Sequence, residues 1–302
     1  QRSAFSLSDE TAPCTSRCRS SDRPRRYTAN EIKAYELAQI GLLGIMLALG
    51  FIGVDWGGGR NTLKLFGATS DPNYFVGFYL LPMAVTLKKM RESRIYALPC
   101  AVMFALGAYI VVSSGSRGGL FALIVTVLAF VFFSAKSGKQ RLIGIVAALF
   151  SAVLFWTVIL PLLPESVSSR FALQTILESR GTGRVDIWIS MLETISESKW
   201  ELFLGRGVLA QHEFFLGGKM AKWAAHNQFI QALYNQGILG LLAFLLMSFG
   251  AVFRNIKKRP HIAAAMLGML ALCMTLTIYT SIKTFWNLLI YAALSFDEPE
   301  KD

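Results

Sequence analysis

The stretch HNQFIQALYNQGILGLLAFLLMSFGAVF, residues 226–253, decides the architecture. Its second half is an unbroken apolar run. Residues 229–253 match what a bilayer demands, since a spanning helix needs about 20 apolar residues. The first turns differ: Gln228, Gln231, Asn235 and Gln236 give them a polar face. Polar groups at membrane depth look into protein or a water-filled cavity. The sequence therefore predicts a spanning helix whose outer turns line a site. His226 and Asn227 stand where the chain re-enters the membrane, and Gly237 and Gly240 are expected to let another helix pack closely.

The same pattern recurs outward from this stretch. Further candidate spans are 37–54, 95–114, 118–135, 142–163 and 262–282, with shorter apolar runs at 74–87 and 284–296. Of the 302 residues, 54% are hydrophobic and only 16% charged, against about 25% charged in soluble domains. The mean hydropathy is +0.47. These figures exclude an ordinary cytosolic enzyme, a disordered chain and a collagen-like fibre. The expected fold class is all-α: a polytopic transmembrane helix bundle of about seven to eight spans, with one long extracytoplasmic loop containing short helices.

Charge gives the orientation. The net charge is +11, but no basic patch is interleaved with stacking aromatics, so no nucleic acid partner is expected. Three short linkers are densely basic: 88–94, 136–141 and 254–259 hold eleven Lys and Arg against one acid, Glu92. Such linkers belong in the cytoplasm. The connections 55–73, 113–117 and 164–228 then face outward. The long one is balanced, with seven basic and seven acidic residues over 164–226. The expected divisions are a polar, basic tail at 1–33, five transmembrane helices in 34–163, an extracytoplasmic catalytic loop at 164–227, three helices in 228–296 and a tail at 297–302. No ionisable residue lies in the middle of a span, which counts against an ion-coupled transporter. Cys100 and Cys273 read as packing residues, and Cys14 with Cys18 lacks the second pair that a zinc site needs.

Chemistry is therefore expected at the outer surface. SSGSRGG at 113–119 makes a tight turn, with Arg117 at the mouth of the next helix. Arg117 reads either as an interfacial side chain reaching for water or as an anion clamp, since a guanidinium presents a fixed fork of donors. In GTGRVDIWISML at 181–192, Ile187, Met191 and Ile195 share a face of a short helix that is able to lie on the membrane surface. Arg184 opens it, as a surface contact to Asp186 or Trp188 or as a second phosphate contact. His226 reads as structural or as a general base at a cavity mouth. No Asp-x-Asp pair or HExxH motif is present, so the reading calls for no metal and no cofactor.

Taken together, residues 67–256 resemble the membrane-embedded O-antigen ligase and O-antigen polymerase family. The resemblance rests on TSDPNYFVG at 69–77, SGSRGGL at 114–120, GR followed by IW at 183–188, LFLGRGV at 202–208, and His226-Asn227 followed by Gly237 and Gly240. Family members usually carry more spans ahead of the DPN segment, so the chain is expected to be N-terminally incomplete. The resemblance implies a glycosyltransferase in the bacterial cytoplasmic membrane, with its site facing the periplasm. Its donor is a polyprenyl-pyrophosphate-linked glycan. Its acceptor is a hydroxyl of lipid A-core, of a glycan or of a protein. By position, Arg117, Arg184 and His226 are the candidate catalytic residues. Arg170, Asn227 and Trp188 are candidate substrate contacts, and Arg206 occupies a variable position. The rival readings are a transporter or flippase of lipid-linked glycans and a non-catalytic membrane partner.

Overall fold

The computed structural model describes residues 26–296, apart from 56, 58, 66–67, 173–174, 176–182, 208–212, 217–218, 223 and 278–282. The Cys14 and Cys18 pair, His212, the tail as far as residue 25 and the tail at 297–302 lie outside the described residues.

The structure is an all-α helix bundle. Helix α1 (Ala29–Phe51) starts at a capping box between Thr28 and Glu31, which satisfies two orphan N–H groups reciprocally. Helix α2 (Pro72–Glu92) starts with Asp71 as N-cap and Pro72 at the first position, where a missing N–H costs nothing. Helices α3 (Arg94–Ser113) and α4 (Arg117–Ser134) follow. Helix α5 runs Gly138–Leu162 and passes through a π turn at Phe155–Ile159. Three short helices come next: α6 (Glu165–Phe171), α7 (Arg184–Ser196) and α8 (Lys199–Leu204). A hairpin of Glu213–Leu216 with Lys219–Lys222 leads to α9 (Gln228–Asn255), α10 (Pro260–Cys273) and α11 (Lys283–Ala293).

Five of these helices, α1, α3, α4, α5 and α9, are long and apolar enough to cross a membrane. Helix α2 is equally long but ends in the basic run of Lys88, Lys89 and Arg91. Helices α10 and α11 are shorter. The core is built around α2 and α10. Phe75, Tyr79 and Met83 of α2 pack against Ile262, Met266 and Met269 of α10, with Leu43 of α1 and Ala122 of α4. By contrast, no residue of Gly138–Leu154 in α5 is buried, and Leu142, Leu149 and Phe150 are all more than 60% exposed. An apolar surface of that extent belongs in lipid. The protein is a multi-pass membrane protein.

Contacts at the helix ends put the three basic linkers together. Buried Glu36 of α1 pairs with Lys88 and, at 2.9 Å, with Lys89 of α2. Arg259 donates to the carbonyls of Tyr291 and Ala292 at the end of α11, both at 2.9 Å. Helix α4 runs antiparallel to α10, with Gly118 against Thr275 and Gly268 against Thr126. The linker 136–141 therefore lies at the same end as Arg259. The turns that carry Arg117 and His226 lie at the other.

One detail departs from the sequence reading. The run 262–282 was expected as one span, yet α10 stops at Cys273. Fourteen residues rise only about 21 Å. The backbone beyond it, 274–277, is non-helical and lends its carbonyls to the site: Thr277 accepts from Tyr74 Oη at 3.0 Å. At Gly237 the expected close approach of another helix is found: the last turn of the short helix α8 packs there. Helix α9 breaks there, at φ 67°, ψ −167°, a conformation almost confined to glycine. The backbone of Phe203 fills the gap: a Cβ on Gly237 would lie 2.3 Å from its carbonyl oxygen. The carbonyls freed by the break are taken up by the residues that follow α8. Arg206 N donates to Tyr234 O at 3.0 Å and Gly207 N to Asn235 O at 2.9 Å. Broken backbone inside a membrane protein is tolerated only when its polar groups are satisfied in this way.

Candidate functional site

The site is assembled at the turn between α3 and α4. Ser114, Gly115 and Ser116 cannot stay helical, because Gly115 adopts φ 61°. Ser116 then caps α4, its Oγ accepting from Gly119 N at 2.9 Å, and the same hydroxyl donates to Asn73 Oδ1 at 2.6 Å. Asn73 is itself fixed by Asp71, whose Oδ1 accepts from the backbone and the side-chain nitrogen of Asn73, each at 2.7 Å. Residues 113–117 and the start of α2 are thereby one rigid unit.

Arginines reach this unit from several loops. Arg60 Nε donates to Ser114 O at 3.1 Å, and Arg170 Nε donates to Gly115 O at 3.0 Å. Both stems lie against Gly115, where a Cβ would sit 3.3 Å from Arg60 Cγ and 3.2 Å from Arg170 Cδ. Arg117 Nε in turn donates to Arg170 O at 2.6 Å. Arg184, at the start of α7, donates through Nη1 to Thr275 O at 2.9 Å, beyond the end of α10. A guanidinium held through Nε has its stem fixed and its terminal fork aimed away from the anchor. In Arg60 the consequence is explicit: Nη2 is buried with no hydrogen-bond partner among the described residues. A buried unpaired donor is rare and calls for an explanation; here an anion would satisfy it.

His226 belongs to the same electrostatic group. Burial pushes its imidazole below the usual histidine value, the charge of Arg184 pushes it further down, and Asp71 opposes them. Arg184 is lowered by burial, held up by Asp71 and lowered again by Arg170. Arg60 is lowered by burial and by Arg170, held up by Asp71 and lowered by Arg184. One acid thus serves three cationic or basic groups. The neutral imidazole is favoured, which is the form able to accept a proton.

His226 is held by local structure as well. It has φ 48°, the sole non-glycine residue with a positive φ among the described residues. Backbone strain of this kind persists only where its surroundings over-determine it. Those surroundings are Ala225 and Asn227. Trp188 Nε1 donates to Ala225 O at 2.7 Å, and Ala225 N donates to Gln231 Oε1 at 3.0 Å. Gln231 Nε2 continues to Asn235 Oδ1 at 3.0 Å. Asn227 caps α9, its Oδ1 accepting from Phe229 N at 3.0 Å and Ile230 N at 3.3 Å. The apolar face of α7, Ile187, Met191 and Ile195, packs with Ala225 and Tyr234, so this stripe docks on α9.

The structure therefore brings Arg117, Arg170, Arg184 and His226 together. It places Trp188 and Asn227 beside them as fixtures of the His226 backbone. Arg206 stands apart, between Glu201 at 3.5 Å and the ring of Tyr234 at 5.8 Å. Two members escaped the sequence reading. Arg60 is a lone arginine after three glycines, Gly57 to Gly59, in an outward linker. Asp71 lay inside the quoted DPN segment without a role. The glycines before Arg60 and the cap position of Asp71 were the available signals.

Residues 102–245 match the family described as O-antigen ligase. Over this segment the chain is similar to the O-antigen ligase family. The O-antigen ligase segment holds Arg117, Arg170, Arg184 and His226, whereas Arg60 and Asp71 come from outside it. No curated protein matches the chain. The match supports an enzyme of the O-antigen ligase type, a family that implies a lipid-linked glycan donor and a glycan acceptor in general terms.

Proposed function

We propose that this chain transfers a glycan from a polyprenyl-pyrophosphate carrier to an acceptor hydroxyl, with inversion and without a metal, at the outer face of the bacterial cytoplasmic membrane. The observation that carries the reading is the convergence of Arg60, Arg117 and Arg170 on one turn, with Arg184 and a neutral imidazole in the same electrostatic group. The acceptor oxygen attacks the anomeric carbon as the bond from that carbon to the pyrophosphate oxygen breaks. His226 takes the hydroxyl proton, a contribution of about 10²–10⁴ in rate. Negative charge grows on the departing pyrophosphate, and donors already aimed at it lower the barrier. Arg117 and Arg184 are the principal donors in this scheme. Arg170 and the unpaired Nη2 of Arg60 add to them. The basic linkers lie at the opposite end of the bundle, which supports an outward-facing site.

The test is direct: full-length protein in vesicles, a polyprenyl-pyrophosphate glycan, and lipid A-core, a second glycan-carrier or a hydroxyl-bearing peptide as acceptor. A new glycosidic bond of inverted configuration is the expected product, and the acceptor that reacts separates ligase, polymerase and protein O-glycosyltransferase. Translocation of the donor without any new bond would replace this reading with a flippase. EDTA is expected to leave the rate unchanged, and a full, reversible loss on chelation would overturn the metal-free part.

A further inference from the structure

Helix α5 stands away from the core, and the space it leaves is a defined groove. It touches α4 where Gly144 meets Val131: a Cβ on Gly144 would lie 2.0 Å from Val131 Cγ1. Beyond that contact the helices part around a cavity of about 540 Å³. Its walls include Ile124, Leu128 and Phe132 of α4 and Ile145 and Leu149 of α5, with Leu267 of α10 behind them. The groove occupies the half of the bundle nearest the basic linkers. Its mouth is lined by Arg141. No carboxylate pairs with this guanidinium among the described residues; it lies over the Phe132 ring, 4.9 Å from the centroid. Lys136 and Lys139 stand in the same linker, with no acid in 134–141.

We propose that this groove binds one anionic glycerophospholipid, an acyl chain lying between α4 and α5 and the phosphate meeting Arg141. Three observations select that occupant. The groove is wholly apolar below its mouth, so it takes hydrocarbon. Its mouth carries unpaired positive charge, so it takes an anion. Its volume falls in the range of about 300–1,000 Å³ usual for small ligands. A protein helix about 10–12 Å across would displace roughly twice that volume over one leaflet. The site is separate from the arginine group at the outer rim, and the proposal is independent of glycan transfer.

Native mass spectrometry of the full chain in mild detergent, after delipidation, measures the binding. The probes are phosphatidylglycerol and phosphatidylcholine of equal chain length. Wild type is expected to retain one phosphatidylglycerol about fivefold more tightly than phosphatidylcholine, as one well-placed basic residue at a lipid surface provides. Arg141→Gln should abolish this preference while leaving chain binding intact. Ala148→Trp, which fills the groove from α5, should weaken both lipids. Both positions face outward from the core, so the variants should fold, and an unchanged thermal unfolding profile checks this. A preference that survives Arg141→Gln overturns the proposal, because the phosphate then lies on another basic linker. Unchanged binding in Ala148→Trp overturns it as well. A wild-type dimer that Ala148→Trp dissociates would do the same, making a second copy the occupant.

Discussion

The two ends of the bundle are both rich in cations, and they use them in opposite ways. At the basic-linker end the charges beside α1 and α11 are consumed locally. Lys88 and Lys89 share Glu36, and Arg259 spends both terminal nitrogens on the carbonyls that end α11. At the outer rim Arg60, Arg117 and Arg170 are fastened by Nε to backbone carbonyls, and Asp71 acts on Arg60 and Arg184. Among the described residues, the four guanidinium groups at the rim are held at fixed places by backbone carbonyls. The lesson is that the count of basic residues does not distinguish anchoring from chemistry. The atom through which each guanidinium is held does.

The contrast is most exposed to failure at His226. His226→Ala is expected to lower transfer by about 10²–10⁴ while the protein still inserts and accumulates, as radiolabelled glycan transfer and membrane yield would report. A variant of full activity would remove the imidazole from the mechanism. Next come the forks. Arg117→Lys and Arg60→Lys keep the charge but lose both the Nε anchor and the paired donors. Each is expected to cost about 10²–10³ in kcat. Wild-type kinetics in Arg117→Lys would return that residue to the role of an interfacial side chain.

The basic-linker end should answer differently. Glu36→Ala leaves two lysines without their buried partner, and breaking such a pair costs about 3–5 kcal/mol when both ions are fully buried. Lys88 and Lys89 keep some exposure, so the lower end of that range is expected. The readout is a lower melting temperature in detergent with kcat per folded enzyme unchanged. A loss of kcat at constant stability would mean that the two ends are coupled.

The smallest effect is a displacement of the pH profile. Only neutral His226 accepts a proton, so activity falls as pH drops through its pKa. Arg184 lowers that pKa and Asp71 raises it. Residual activity in Arg184→Gln should therefore show its acid limb moved to higher pH, and Asp71→Asn to lower pH. Movement in the same direction for both would contradict the arrangement of charges around the imidazole.

Much of this organisation was legible in the residues. The long apolar runs marked α1, α3, α4, α5 and α9, because bilayer length is a local requirement that each run meets alone. The polar face of 228–236 announced a helix looking inward. What stayed hidden depends on partners distant in the chain. Arg60 acquires its meaning from Ser114, and Arg184 from Thr275. The apolar run 262–282 gives no sign that α10 ends at Cys273, because the carbonyls just beyond it, of Thr275 and Thr277, accept from Arg184 and Tyr74, far away in the chain. Gly237 signalled close approach, but no periodicity tells which backbone approaches. The occupant is Phe203, in the last turn of α8, and the glycine that ends this helix, Gly205, meets the backbone of Asn235 and Gln236.

The anchoring of the arginines has a practical corollary. Their acceptors belong to Ser114, Gly115 and Thr275, at the rims of α3, α4 and α10, while Arg170, Arg184 and His226 are carried by 164–227. A water-soluble excerpt of that segment would bring an imidazole and two guanidinium groups into solution with nothing to hold them. Grafting it onto a foreign scaffold would fare no better. The reactive centre exists as a property of the assembled bundle, and any attempt to miniaturise it has to retain three helix rims along with the loop.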